Sequence, residues 1–309
     1  MSHARVSICI PAYRLAEPVL KALESVRIQT FRDYEVVVTD DSPDDSVERA
    51  LETMDFSGRL RYQKNQQRLG APENWNESIR LARGEYIKIL HHDDWFAGEN
   101  SLAAFVDLLD TDPQADFGFS ASADCLAGGE ARRVHCASRS ALCRLEADPK
   151  RLFHGNVVGS PSATIFRSSV NERFDPRLRW VVDIDFYIRI LRANRRFAFS
   201  SEPLVCVSID SEDRVTAECK GHKSVELQEY VYLLKKVWGD TWVSGRSAKF
   251  VLDLMCSYDV RSRKDLVACG VDLPLPRSVE RLLALLRIWR FIYAARKHGR
   301  DRTVKQRPV

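Results

Sequence analysis

YIKILHHDDWF, residues Tyr86–Phe96, is the stretch on which the fold turns. The run Tyr86-Ile87-Lys88-Ile89-Leu90 has the apolar, β-branched character of a buried strand. It stops at two histidines. Two adjacent carboxylates follow, Asp93 and Asp94, and like charges repel. A carboxylate pair is a poor turn choice directly after an apolar strand, so something positive is expected beside it.

Working outward, strand and helix patterns alternate through the first hundred residues. Val6–Ile10 is predicted as a buried strand. A helix follows, with Pro18 in its first turn and Val19, Leu20, Leu23 and Val26 at helical spacing. Glu35–Thr39 is a β-branched strand ending in the turn cluster DDSPDDS. Val47–Met54 is a short helix, Arg59–Gln63 a strand, and Glu73–Ala82 a helix capped by Arg83-Gly84. Tyr86–Leu90 is the next strand. This order predicts a mostly parallel, Rossmann-like α/β sheet flanked by helices. The loops PAYR, DDSPDDS and HHDDW then gather at its carboxyl edge, where such sheets bind ligands. Beyond it, Ser101–Leu109 is helical, 117–145 is mixed and strand-prone with a turn at Gly128-Gly129, and 155–166 ends in a strand. Residues 180–194 form a helix, 197–209 strands, and 222–300 are mainly helical.

The composition is that of an ordinary soluble globular protein. No apolar run reaches membrane-spanning length. VSICI meets Pro11 after five residues, so no leader peptide is expected. The eight cysteines are scattered and form no CxxC pair, which argues against a zinc ribbon and fits a reducing cytoplasm. The net charge of +4 is uneven. From Arg277 onward ten Lys or Arg face only Glu280 and Asp301. There Arg287, Arg290 and Lys297 fall on one side of a helix, with Arg281 and Arg296 outside it. Such a helix suits an anionic membrane surface, or docking on the body with a solvated basic end. The acidic body argues against nucleic acid as a partner.

Several chemistries are excluded by missing motifs. Pro11-Ala12-Tyr13 after the first strand is no dinucleotide fingerprint, and no Walker cradle, HExxH or GxSxG occurs. What remains are Asp40-Asp41 and Asp93-Asp94 on one rim. A divalent cation with a phosphate-bearing ligand satisfies four such carboxylates, since Mg²⁺ and Mn²⁺ take oxygen ligands. Asp40 and Asp41 also suit simple capping of a turn and helix. His91 and His92 are either ligands or hydrogen-bonding neighbours.

Three blocks resemble family 2 glycosyltransferases, which have the GT-A fold. They are VSICIPAYRLAEPVLKALESVRIQTFRDYEVVVTDDSPDDS, NQQRLGAPENWNESIRLARGEYIKILHHDDW and WVVDIDFYIRI. The resemblance covers about residues 5–215. It implies that Asp93 and Asp94 lie beside the diphosphate of a nucleotide sugar and hold Mg²⁺ or Mn²⁺, Asp94 foremost. It places Pro11 and Tyr13 against the nucleobase and ribose, with Asp40 and Asp41 accepting hydrogen bonds from them. Asn76 matches a further family position, and Gly159–Ser162 a segment near the acceptor. The first position of the usual D-x-D motif is His91 here. Asp183 matches the general base, which takes the acceptor hydroxyl's proton. Asp185, two residues on, points elsewhere on the helix and can pair with Arg189 at i+4.

The implied protein is a cytoplasmic, metal-dependent, inverting glycosyltransferase of polysaccharide or glycolipid assembly. Its donor is a UDP-, dTDP- or GDP-sugar, and its acceptor a glycan or a lipid-linked group. Peripheral contact with the inner face of the cytoplasmic membrane is expected of the tail. The organisation expected is 1–97 for the nucleotide sugar, 98–215 for the acceptor and 216–309 as a helical C-terminal extension. Two other readings stand beside it: a sugar-nucleotidyltransferase, and a glycosyltransferase-like binding protein without turnover.

Overall fold

The computed structural model describes residues 4–210, 219, 221–241, 243, 245–271, 275, 277–286 and 288–290. The chain forms two compact units, Met1–Arg214 and Val215–Val309.

The first unit is built on β1 (Val6–Ala12), buried along its whole length. A strand covered on both faces needs continuous apolar residues, and VSICI supplies them. β1 pairs in parallel with β2 (Tyr34–Asp40) on one side and β4 (Tyr86–Ile89) on the other, and β2 with β3 (Leu60–Lys64). Three helices connect them: α1 (Ala16–Arg27), α2 (Ser46–Leu51) and α3 (Ala71–Leu81). α1 turns Val19, Ala22, Leu23 and Val26 into the core. The alternation predicted for these hundred residues is present, with ends shifted by a few residues. α3 starts at Ala71 rather than Glu73, because Pro72 is tolerated in a first turn, where its missing N–H has no helical partner anyway.

The remaining strands are β5 (Trp95–Phe96), β6 (Phe117–Cys125), β7 (Ala131–His135), β8 (Thr164–Arg167) and β9 (Phe197–Ser208). Strand order is β3-β2-β1-β4-β8-β6-β9-β5, with β7 on β6. The parallel half is β1–β4. Beyond it β8 lies antiparallel to both β4 and β6, while β6 and β9 run parallel. The carboxyl-edge rule therefore governs the loops after the parallel strands β1 to β4. Helices α4 (Ser101–Asp110) and α6 (Val182–Ala193) flank the sheet's second half. The strand-prone region 117–145 contains a helix, α5 (Arg139–Ala147), capped by the Ser138 hydroxyl. It buries only Leu145, so it carries little periodic signal.

Gly84 corrects a second expectation. α3 ends at Ala82 in extended backbone, so Gly84 is not its cap. Instead the chain presses against β1. A Cβ at Gly84 would lie 2.6 Å from the Ser7 nitrogen and 2.8 Å from the Val6 carbonyl carbon. The Gly84 N–H donates to Ser7 Oγ at 2.8 Å. Gly84→Ala should therefore lower stability by about 1–3 kcal/mol, read as a lower urea midpoint. An unchanged midpoint would show that β1 yields there without cost.

In the second unit, helices span Lys223–Trp238, Gly245–Ser257 and Arg263–Ala268. Residues 277–286 are helical, with Val279, Leu282 and Leu286 buried. Trp289 donates to Asp253 at 2.8 Å, and Arg290 pairs with Asp259 at 2.6 Å. Arg290 is thus paired within this unit, while Arg287, Arg296 and Lys297 lie outside the described residues. No described helix is long and apolar enough to cross a membrane.

Candidate active site

Three loops meet at the carboxyl edge. The Asp41 N–H donates to the Ala12 carbonyl at 3.0 Å, and Leu90 to Cys9 at 2.9 Å. His92 Nδ1 lies 3.2 Å from the Pro11 carbonyl. After β1 the chain bends through two left-handed residues, Arg14 at φ 52° and Leu15 at φ 38°. Non-glycine residues adopt this backbone at a cost, and it is concentrated at functional sites. The bend sets Tyr13, half-buried, between two guanidinium groups. Arg14 lies 4.9 Å and Arg68 4.6 Å from its ring centroid. Pro11 is buried in β1 beneath it.

The two acids after β2 do different work. Asp40 is fully buried, and its carboxylate accepts from the Ser42 N–H, the Tyr62 hydroxyl and Lys64. It closes the rim from below, and reaching a ligand would require breaking those bonds. Its expected contact with the base or ribose would use a carboxylate already engaged by three donors. Asp41 accepts from Asn65 and from the N–H groups of Leu69 and Gly70, at 2.8–3.0 Å. It thereby holds the loop that carries Arg68. Asn74, which the sequence did not single out, completes this corner by donating to the Ala12 and Thr39 carbonyls. Asn76 is likewise engaged within the fold. Its amide bonds both the N–H and the carbonyl of Phe174, at 2.8 and 2.9 Å, so it ties α3 to that segment.

His91–Asp94 is a tight turn, closed by the Asp94 N–H on the His91 carbonyl at 3.0 Å. Such a turn brings its first and fourth residues together. Side-chain donor atoms of His91, Asp93 and Asp94 all lie within 4.8 Å of one another. His92 is outside this group. His91 is locked from two sides: its N–H donates to Ser162 Oγ at 2.9 Å, and its ring packs on Trp75 at 4.6 Å. Its Nε2 is buried and has no hydrogen-bond partner among the described residues. Burial also holds the imidazole pKa below its ordinary value, which keeps the ring neutral. Asp94 is buried, accepting from the Ser208 N–H at 3.0 Å and from Ser160 Oγ at 3.4 Å. Burial and then the Asp93 charge push its carboxyl up, while Ser162, Ser208 and Lys88 draw it back. Two carboxylates and an orphaned buried nitrogen form a donor set that fits a divalent cation.

Lys88 stands out because β4 buries it completely. Its ammonium donates to the carbonyls of Ile89 (2.8 Å) and Ser162 and lies 4.4 Å from the Phe105 centroid. Burial lowers its pKa from 10.5 to about 7. The unfolded chain keeps that proton up to about 10.5 and the folded chain releases it near 7. Between these values the unfolded state binds more protons, so stability rises with pH. The urea midpoint should therefore climb from neutral to alkaline pH in the wild type and climb less in Lys88→Met. Equal slopes would mean that Lys88 stays charged in the fold.

Asp183 sits in the first turn of α6. Its Oδ2 accepts from Asn156 Nδ2 at 2.6 Å and its Oδ1 from the Ile184 N–H at 2.7 Å. Asn156 also binds Gly159 through both N–H and carbonyl, and the Tyr187 hydroxyl donates to the Gly159 carbonyl. The loop 156–162 thus links Asp183 at one end to Asp94 and His91 at the other. Asp185 is buried on another side and accepts from Arg189 Nε at 2.9 Å. The small polar segment Gly159–Ser162 is therefore part of the site, and Asn156 belongs with it. Gly159–Ser162 has a sequence signal in its resemblance to the family's acceptor segment, whereas Asn156 has none beyond its polar surroundings.

A family model described as glycosyl transferase family 2 matches residues 7–174. A Mycobacterium tuberculosis protein of uncharacterized function is 28% identical over 60% of this chain, and the match spans 61% of its length. A Methanocaldococcus jannaschii protein, named as an uncharacterized glycosyltransferase, is 25% identical over 77% of this chain and 81% of its own. Among solved structures, S. aureus TarS 1–349 in complex with UDP-GlcNAc superposes with a TM-score of 0.63 at 15% identity. That match covers 96% of this chain and 92% of that 1–349 chain. A Pyrobaculum calidifontis mannosyltransferase in complex with GDP-Man and Mn²⁺ gives 0.53 at 18% identity, over 95% and 85%. At these identities the likeness shows the fold, GT-A.

Proposed function

Since the chain belongs to glycosyl transferase family 2, we propose that it transfers a sugar from a nucleoside-diphosphate donor to an acceptor hydroxyl with inversion. The observation that carries the proposal is the joining of the His91–Asp94 turn to Asp183 through the loop 156–162. In this reading Tyr13, with Arg14 and Arg68, forms the platform for the nucleotide, Pro11 underlies it, and Asp41 keeps the platform's loop in place. Asp40 and Asn76 brace the rim. Asp93 and Asp94 hold a divalent cation, Mg²⁺ or Mn²⁺, which when bound offsets charge developing on the departing diphosphate. Asp183 removes the acceptor's proton as its oxygen attacks the anomeric carbon from the face opposite the leaving group. Asn156 and the Ile184 N–H fix the carboxylate for that step. Direct displacement inverts the centre, so an α-linked donor gives a β-linked product.

The acceptor class that fits is a glycan or lipid-linked hydroxyl in polysaccharide or glycolipid assembly. The exposed Leu285 and Ile288 of the second unit are the proposed contact with an anionic membrane surface. The test of the reaction is incubation with UDP-, GDP- and dTDP-sugars, with and without Mn²⁺. Metal-dependent release of a nucleoside diphosphate from one donor is expected. Release of pyrophosphate, or tight nucleotide binding without release under any acceptor, would overturn the proposal.

A further inference from the structure

Building on the β4 turn as the cation site of that transfer, we propose that His91 is itself a ligand and makes the site favour Mn²⁺ and related transition ions over Mg²⁺. Three independent features converge on the imidazole. The turn places a ring nitrogen of His91 with the carboxylate oxygens of Asp93 and Asp94, all within 4.8 Å. The ring cannot easily swing away, because Ser162 fixes its backbone and Trp75 its face. Trp75 is in turn held edge-on by Phe174, 5.0 Å away, whose backbone Asn76 bonds. Finally, Nε2 is buried with no partner among the described residues, whereas buried polar atoms almost always have one. A metal ion is the partner that such a nitrogen lacks.

The donor type sets the preference. Mg²⁺ demands oxygen ligands in near-ideal geometry and gives up water reluctantly. Imidazole nitrogen binds later first-row ions better, so one nitrogen among oxygens shifts the balance away from Mg²⁺. An aspartate at this position would give an all-oxygen set. His92 Nε2 is buried and unpartnered among the described residues too, so the cluster decides between them: His92 stands outside it, with Nδ1 facing the Pro11 carbonyl.

The experiment uses the full chain with Mn²⁺ alone. Pulsed EPR should show nitrogen modulation from one imidazole on bound Mn²⁺. His91→Asp should abolish it and His92→Gln should keep it. In competition titrations, the Mn²⁺-to-Mg²⁺ affinity ratio should fall at least about tenfold in His91→Asp, the loss that even an outer-shell change produces. Circular dichroism checks folding, and His91→Gln serves if His91→Asp fails to fold. Bound Mn²⁺ without nitrogen modulation, or an unchanged ratio in the folded variant, overturns the inference. Failure here is separable from failure of the transferase proposal. Turnover with an oxygen-only site removes the ligand role of His91 alone. A nitrogen-ligated Mn²⁺ with no donor consumed removes the transfer reaction alone.

Discussion

Asp94→Asn should lower sugar transfer by at least about 10²–10³-fold, the range seen when one charge-stabilising group is removed from an active site. The fold should not suffer. Asparagine has the same shape: its carbonyl, in place of Oδ1, can accept the Ser208 N–H, and its NH2, in place of Oδ2, can donate to Ser160 Oγ. Stability at neutral pH should hold or rise, because burial and the neighbouring Asp93 disfavour the ionised carboxylate. A carboxylate pair with one buried member is relieved by a bound cation or by protonation of that member. The paired measurement is turnover on the preferred donor with Mn²⁺, and the urea midpoint without metal. A variant that keeps near-normal turnover would remove Asp94 from the site. A variant that loses activity only because it unfolds would make Asp94 structural.

Asp183→Asn should cost about 10²–10⁴-fold in transfer, the usual worth of a positioned general base. Donor binding should persist, because the platform proposed for the nucleotide lies in β1, β2 and the loops beside them. Asp185→Asn makes the contrast. It removes one partner of a buried ion pair with Arg189, which keeps Glu172 as its other partner. The expected result is a stability loss of about 1–3 kcal/mol with much milder kinetic change. If Asp185→Asn abolished transfer in folded protein while Asp183→Asn did not, the base would be two residues further along the helix. If neither mattered, α6 would carry no base.

How much of this was legible in the sequence depends on the range of the forces involved. β1 and β2 were readable because strands buried on both faces need unbroken apolar runs. The carboxylate turn was readable because two like charges after such a run need an external explanation. α5 was not readable, because Leu145 alone is buried in it. The antiparallel pairing of β8 was missed because that strand has four residues and its neighbours come from distant segments. Asp40 and Asp41 are adjacent and chemically identical, yet one is buried under Tyr62 and Lys64 while the other holds a loop. Sequence supplies the residue type but not the direction of the carboxylate. Lys88 is the one charge in a run that reads as a buried strand, and nothing local says where its ammonium goes. It is buried because β4 lies between β1 and β8, and its carbonyl partner on Ser162 is 74 positions away. The pairing of Asp185 with Arg189 was foreseen, since contacts at i+4 follow from helical pitch alone.

The bond between Asp94 and Ser208 spans 114 positions. During synthesis the acidic turn leaves the ribosome long before the strand that completes its shell. β1 to β4 pair through segments close in the chain and can assemble early. Closing so long a loop is entropically costly and slow. Catalytic competence therefore arrives late, with the docking of β9, rather than growing in proportion to the length made. An unfinished chain, or a fragment ending before Ser208, holds the acids without the frame that makes them useful. Such a product has no means of consuming activated sugar before it can direct the sugar to an acceptor.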